Sequence, residues 1–178
     1  MLLLLLVACG PDHVPKPRGY FRIDLPSKAY VKWSPECPLE AEVSQNAKPL
    51  LRSDSSSCWM DIRYPSHRAT VHLTYKPVAG DLPRLIEDAH GFKNKHQVKA
   101  SRVRSERIMR EHDRVYGTLF DVEGDVASPF VFYLTDSARH FLYGSLYFDA
   151  RPNADSLAPV TDRIREDMRH LAGTLKWR

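Results

Sequence analysis

Two consecutive segments near the C-terminus constrain the fold more than any other feature of the chain. In residues 129–136, Phe130, Phe132 and Leu134 fall on one side of an extended chain and Val131 and Tyr133 on the other. In residues 140–148, Phe141, Tyr143, Leu146 and Phe148 again leave neither side polar. Side chains alternate along a strand, so a strand pair of this kind cannot present either face to water and needs cover on both. One cover is supplied by the last segment, where Leu157, Val160, Ile164, Met168, Leu171 and Leu175 recur every three or four residues, the stripe of a core-facing helix. The other is expected at 82–97. Asp81 can cap a helix whose first turn tolerates Pro83, and Leu82, Leu85, Ile86 and Ala89 then share a face.

The remaining strands follow from alternation and turn chemistry. Residues 58–64 and 69–75 alternate around the turn Pro65-Ser66-His67 and predict a hairpin. Strands at 103–110 and 114–123 lead by short connections into the two apolar ones, so these four run antiparallel. Shorter strands are expected at 20–25 and 39–43, divided by Pro26, Pro35 and Pro38, and residues 52–57 read as a polar loop. Strand pair, helix, strand meander and helix together predict an α+β domain over 20–178, an antiparallel sheet sandwiched by two helices. This order resembles the PsbP/Mog1-like architecture in topology.

The N-terminus has a different character. Leu2 to Val7 is wholly apolar and runs into Leu6-Val7-Ala8-Cys9, the pattern of a lipobox with a small residue before the modified cysteine. Residues 1–8 are therefore read as a lipoprotein signal peptide, shorter than usual and without a preceding Lys or Arg, so that the start codon is expected to lie further upstream. Cleavage would leave Cys9 as a lipidated N-terminus. Residues 9–19 form a tether in which Pro11, Pro15 and Pro17 forbid helix. No later segment approaches the ~20 apolar residues of a spanning helix.

Cys37 and Cys58 remain, an even pair in an oxidising compartment. A disulfide between them would close a loop whose stretch from Ser44 to Ser57 has little core of its own. Two separate buried thiols are the alternative.

Charge and motif both narrow the function. The net charge of +4, from 26 basic and 22 acidic residues, is scattered, and the Arg-rich stretch from Arg102 to Arg114 reads as the solvated face of strands. Nucleic-acid binding is poorly supported. None of the eight histidines falls in an HxH, HExxH or HxxxH pair, so no metal is expected. The eight glycines form no phosphate-binding loop, and Gly144-Ser145-Leu146 lacks the second glycine of a nucleophile elbow. Carboxylate pairs such as Asp121 and Glu123, or Asp149 and Asp155, read as solvated strand ends. No catalytic set and no cofactor is expected. A small-ligand or cell-wall glycan binder using the aromatic sheet centre is the alternative, and an envelope hydrolase built on His140, Asp149 and Asp155 is a more distant one.

PKPRGYFRIDLP at 15–26, CWMDIRYPSHRATVHLTYKP at 58–77 and VYGTLFDVEGDVASPFVFYLTDSARHFLYGSLYFDARPNADSLAPV at 115–160 closely resemble the gliding motility-associated lipoproteins of the GldD family. The resemblance covers nearly all of the mature chain. It implies a non-enzymatic, membrane-anchored component of the gliding machinery of Bacteroidetes, tied to type IX secretion and its other lipoproteins and placed at the periplasmic side of the outer membrane. Surfaces for such contacts favour Arg and aromatic residues. Arg18, Tyr20 and Arg22, on one side of the signature strand, are candidate partner contacts, unless that strand merely docks the tether. Asp136 and Arg139, with Arg151 and Asn153 beyond the next strand, form a second candidate patch, unless Asp136 only caps its turn.

Overall fold

The computed structural model describes residues 25–52, 58–97 and 100–178. Cys9, the tether, and Arg18, Tyr20 and Arg22 lie outside the described residues, as do the expected strand at 20–25 apart from Leu25 and the loop at 53–57.

The two strands that are apolar on both sides, β8 (Phe130–Thr135) and β9 (His140–Phe148), sit at the interior of a seven-stranded antiparallel sheet. Its order is β3 (Lys48–Leu51), β4 (Trp59–Tyr64), β5 (Ala69–Pro77), β9, β8, β7 (Val115–Glu123) and β6 (Arg102–Arg110). The β4–β5 hairpin turns through a single 3-10 turn at Pro65–His67, where Arg68 takes a left-handed φ of 48°. β5 then pairs along its whole length with β9, so the hairpin joins the meander β6–β9 in one sheet.

Both faces are covered, each by one helix. Phe130, Phe132 and Leu134 of β8 and Leu142 and Leu146 of β9 pack with Val160, Ile164, Met168 and Leu171 of α2 (Ala154–Thr174). On the other face Phe141, Tyr133 and Tyr143 pack with Leu85 and Ala89 of α1 (Leu82–Gln97). Gly144 is needed where it stands, because a Cβ there would lie 2.2 Å from the Phe132 ring.

β1 (Tyr30–Trp33), β2 (Leu39–Ser44) and β10 (Lys176–Trp177) form a second sheet in the order β1-β2-β10 beside α2. The sequence marks β2 but not β1, β3 or β10; β1 has four residues and β10 two, too short for alternation to register. β3 likewise occupies part of the stretch read as poor in core. It is an edge strand, a place where a sheet tolerates a proline such as Pro49. Cys37 and Cys58 are joined by a disulfide, Cα atoms 5.7 Å apart, which ties the loop before β2 to the start of β4.

Asp81 precedes α1, and its carbonyl accepts the first helical bond from the Leu85 N–H. Its carboxylate accepts from the Ala79 N–H at 3.1 Å and from the Arg84 side chain in the first turn of the helix.

Candidate interaction surfaces

The α1 face of the sheet has a register row that crosses all seven strands: Leu50, Asp61, His72, Ser145, Val131, Phe120 and Ser105. Directly opposed residues share a face. Within this row the buried Asp61 accepts a 2.8 Å hydrogen bond at the His72 Nδ1 and a 3.3 Å bond from Arg63. Burial pushes the Asp61 carboxyl up, but the interactions with His72, the bond from Arg63 and the charge of Arg52 outweigh it and hold the pKa below the ordinary value. Ser145 lies opposite His72 on β9, so a serine, a histidine and an aspartate fall in line. Ser145 belongs to a strand paired on both sides, by β5 and by β8. The backbone N–H groups around it are spent in those ladders and leave no donors for an oxyanion. The row holds a hydrogen-bonded aspartate and histidine set into a sheet, and Trp59, 44% exposed, lies beside it on β4.

α1 packs over β7, β8 and β9 and leaves a groove of about 700 Å³ between itself and β6. Leu82, Ile86 and His90 form the helical wall, with Phe120 and Tyr133 as floor. His90 meets Phe120 edge-on at 5.3 Å, and Tyr133 stacks on Phe141 at 5.7 Å. Tyr133 also accepts a 3.3 Å bond from the Thr118 hydroxyl. Arg107 and Met109 of β6 stand at the rim, Met109 61% exposed.

The opposite face is held by charge as well as by apolar packing. Asp121 of β7 meets Arg165 at 3.1 Å and Arg169 at 3.0 Å, both on α2, and Arg169 also bonds Glu106 of β6. Arg110 donates to the Ala172 and Leu175 carbonyls at 3.0 and 2.8 Å, satisfying the end of α2 where the dipole favours a cation.

Along the outer side of α2 runs a strap of chain, residues 25–30. Arg163 donates to the Pro26 carbonyl, Lys28 pairs with Glu166 at 2.7 Å, and the Tyr30 hydroxyl donates to Asp167 at 3.1 Å. Partners at 163, 166 and 167 are the spacing of one helix face. Asp167 is buried, and burial raises its carboxyl pKa; the bond from Tyr30, the neighbouring Tyr64 and Ser44 hydroxyls and the charge of Arg163 only partly offset this. Burial, with the Asp167 charge, in turn pushes the Tyr30 phenol up to about 12.

The expected second patch is not one surface. Asp136 and Arg139 lie in the β8–β9 turn, at the start of β9, whereas Arg151 and Asn153 follow its end. Nine residues at ~3.4 Å per residue separate the two ends by roughly 30 Å. Asp136 Oδ1 accepts from the N–H groups of Ala138, Arg139 and His140 at 2.7–2.9 Å, and Asn153 caps α2 by accepting from the Ser156 N–H at 3.1 Å. The same strand separates His140 from Asp149. His140 stacks on Trp177 at 5.2 Å and bonds the Tyr75 hydroxyl, while Asp149 pairs with Arg68.

A seven-stranded antiparallel sheet with one helix on each face places the chain in the PsbP-like class of α+β folds. The solution structure of cyanobacterial PsbP from Synechocystis superimposes with a TM-score of 0.50 over 97% of this chain and 99% of that one, at 9% identity, a likeness of fold. The family is given by sequence: the gliding motility lipoprotein GldD model matches residues 10–177, and the chain belongs to that family. No curated protein matches it by sequence. Membership makes it a gliding-motility lipoprotein, a class held at the cell envelope by its membrane anchor. Among the described residues no helix is long and apolar enough to cross a membrane.

Proposed function

We propose that this protein works by contact rather than catalysis, as an assembly or stabilising component of the gliding apparatus and of the type IX secretion that accompanies it. Its acyl chains on Cys9 hold the domain to the periplasmic face of the outer membrane, which keeps partner lipoproteins at high local concentration. One observation carries the reading. The groups suited to acid-base work are engaged in joining elements: Asp61 with His72, Asp121 with Arg165 and Arg169, Asp136 with three backbone amides. Crosslinking followed by affinity purification from envelope membranes tests it. Recovery of gliding or secretion components is expected, and their absence would overturn it.

A second reading, a binder of small ligands or cell-wall glycan, draws on the aromatic floor of the groove beside α1, where Phe120 and Tyr133 could stack against sugar rings. Calorimetric titration with soluble peptidoglycan fragments checks it, and a null titration removes it.

A further inference from the structure

We infer that the outer edge of β6, with the groove between it and α1, docks an extended acidic segment of a partner protein as an eighth strand of the large sheet. The inference rests on the reading of this protein as one that works through protein contacts.

The two edges of the sheet differ. β3 is four residues long and carries Pro49, both devices that blunt an edge. β6 pairs with β7 over nine residues in unbroken register, from Arg102 opposite Glu123 to Arg110 opposite Val115, with no proline and no bulge. Among the described residues no strand pairs with its other side. A long regular edge offers a row of backbone donors and acceptors to an incoming chain.

The side chains of β6 specify what such a chain carries. The strand has four arginines and one glutamate. Two of the arginines are committed: Arg104 pairs with Glu123, and Arg110 caps α2 and pairs with Asp113. Arg102 and Arg107 have no carboxylate partner among the described residues, and Arg107 stands at the rim of the groove. The register sets Arg107 on the α1 face with Ser105 and Met109, and Arg102 on the α2 face, so an acidic residue on each face of an added strand meets one of these two cations. On the α1 face, a large apolar side chain two residues along from the one that meets Arg107 reaches past Met109 toward Ile86, His90 and Phe120. A second copy of this chain fits poorly, because pairing β6 with β6 sets arginines against arginines, and like charges directly opposed destabilise a sheet.

The test uses the full mature chain and a fluorescent, proline-free peptide that sets Glu and Phe at successive positions of one face and Thr and Glu on the other, beside its Lys-for-Glu counterpart. Saturable binding of the Glu peptide is expected, with amide exchange slowed along β6. Arg107→Glu should weaken it by about tenfold or more, while Lys48→Glu on the other edge leaves it unchanged. Equal binding of the Lys peptide, protection outside β6, displacement by soluble glycan or a dimer formed through β6 would each overturn the inference. So would unaltered binding to the Arg107→Glu chain. If that chain still recovers gliding components from membranes although neither chain binds the Glu peptide, this surface is wrong and the contact role stands. If neither chain recovers them, the contact role fails whatever the peptide does.

Discussion

The ring of Tyr30 lies flat on the ring of His170, centroids 3.6 Å apart and planes within 11° of each other. The same tyrosine donates its hydroxyl to Asp167 one helical turn earlier, while His170 Nε2 lies 2.7 Å from Glu42 of β2. One residue thus fastens the strap and the small sheet to α2.

The Asp167 site sets a prediction with a definite sign. Its carboxyl pKa is raised in the fold, so its contribution to stability is fully present below the unfolded pKa and is lost as pH rises through the raised value. Asp167→Asn keeps hydrogen-bonding capacity without a buried charge, and is expected to unfold at equal or higher denaturant than wild type at pH 8. Asp167→Leu strands the Tyr30 hydroxyl and should cost about 1–3 kcal/mol. Urea melts of both variants across pH check this.

Asp61 behaves in the opposite sense. Its pKa is held down, so the stability it contributes is present above the unfolded value and disappears as pH falls through the lowered one. Asp61→Asn should lose about 1–3 kcal/mol near neutrality and flatten the acid limb of the stability profile. An unchanged acid limb would show that the His72 and Arg63 contacts do not stabilise the sheet.

Reducing the disulfide between Cys37 and Cys58, 21 residues apart, frees a loop of the unfolded chain. The expected loss is about 3 kcal/mol, read as a lower denaturation midpoint for Cys37→Ser with Cys58→Ser than for the oxidised protein.

Arg110→Ala removes the donor to two carbonyls at the end of α2, and its expected cost is about 1–3 kcal/mol. Arg110→Lys should recover only part, since one ammonium does not reproduce the fork of a guanidinium. Thermal unfolding of the two variants separates the cases.

Cys9→Ala should leave the circular dichroism and melting of the domain unchanged while releasing it from membranes. Membrane fractionation decides it: unchanged partition would refute lipidation at Cys9.

Strong periodic signals carried most of this fold. α1 spans the residues its three-and-four spacing marked, and the two-sided apolarity of β8 and β9 required the helices that cover them. What escaped was short or distant. β10 is two residues held by pairing with Glu40 and Leu39, an arrangement made by the fold and absent from any local pattern. The Tyr30 to Asp167 bond joins residues 137 apart. The Asp61 and His72 pair was within reach, because a hairpin turning at 65–67 already sets 61 opposite 72. The patch drawn from Asp136 to Asn153 failed as one surface because a full-length strand intervenes, and neighbours across a strand in sequence lie at opposite ends of it in space.

If the anchor sits on Cys9, as proposed, the bridge from Cys37 to Cys58 has a mechanical meaning for the domain it leashes. Tension arriving through the leash meets first the strap along α2 and then β1, both of which it can peel away. At Cys37 the load passes through the sulfur link to the start of β4, a strand paired on both sides. Peeling therefore stops there, and the seven-stranded sheet takes the strain as a unit instead of unravelling from its tethered end.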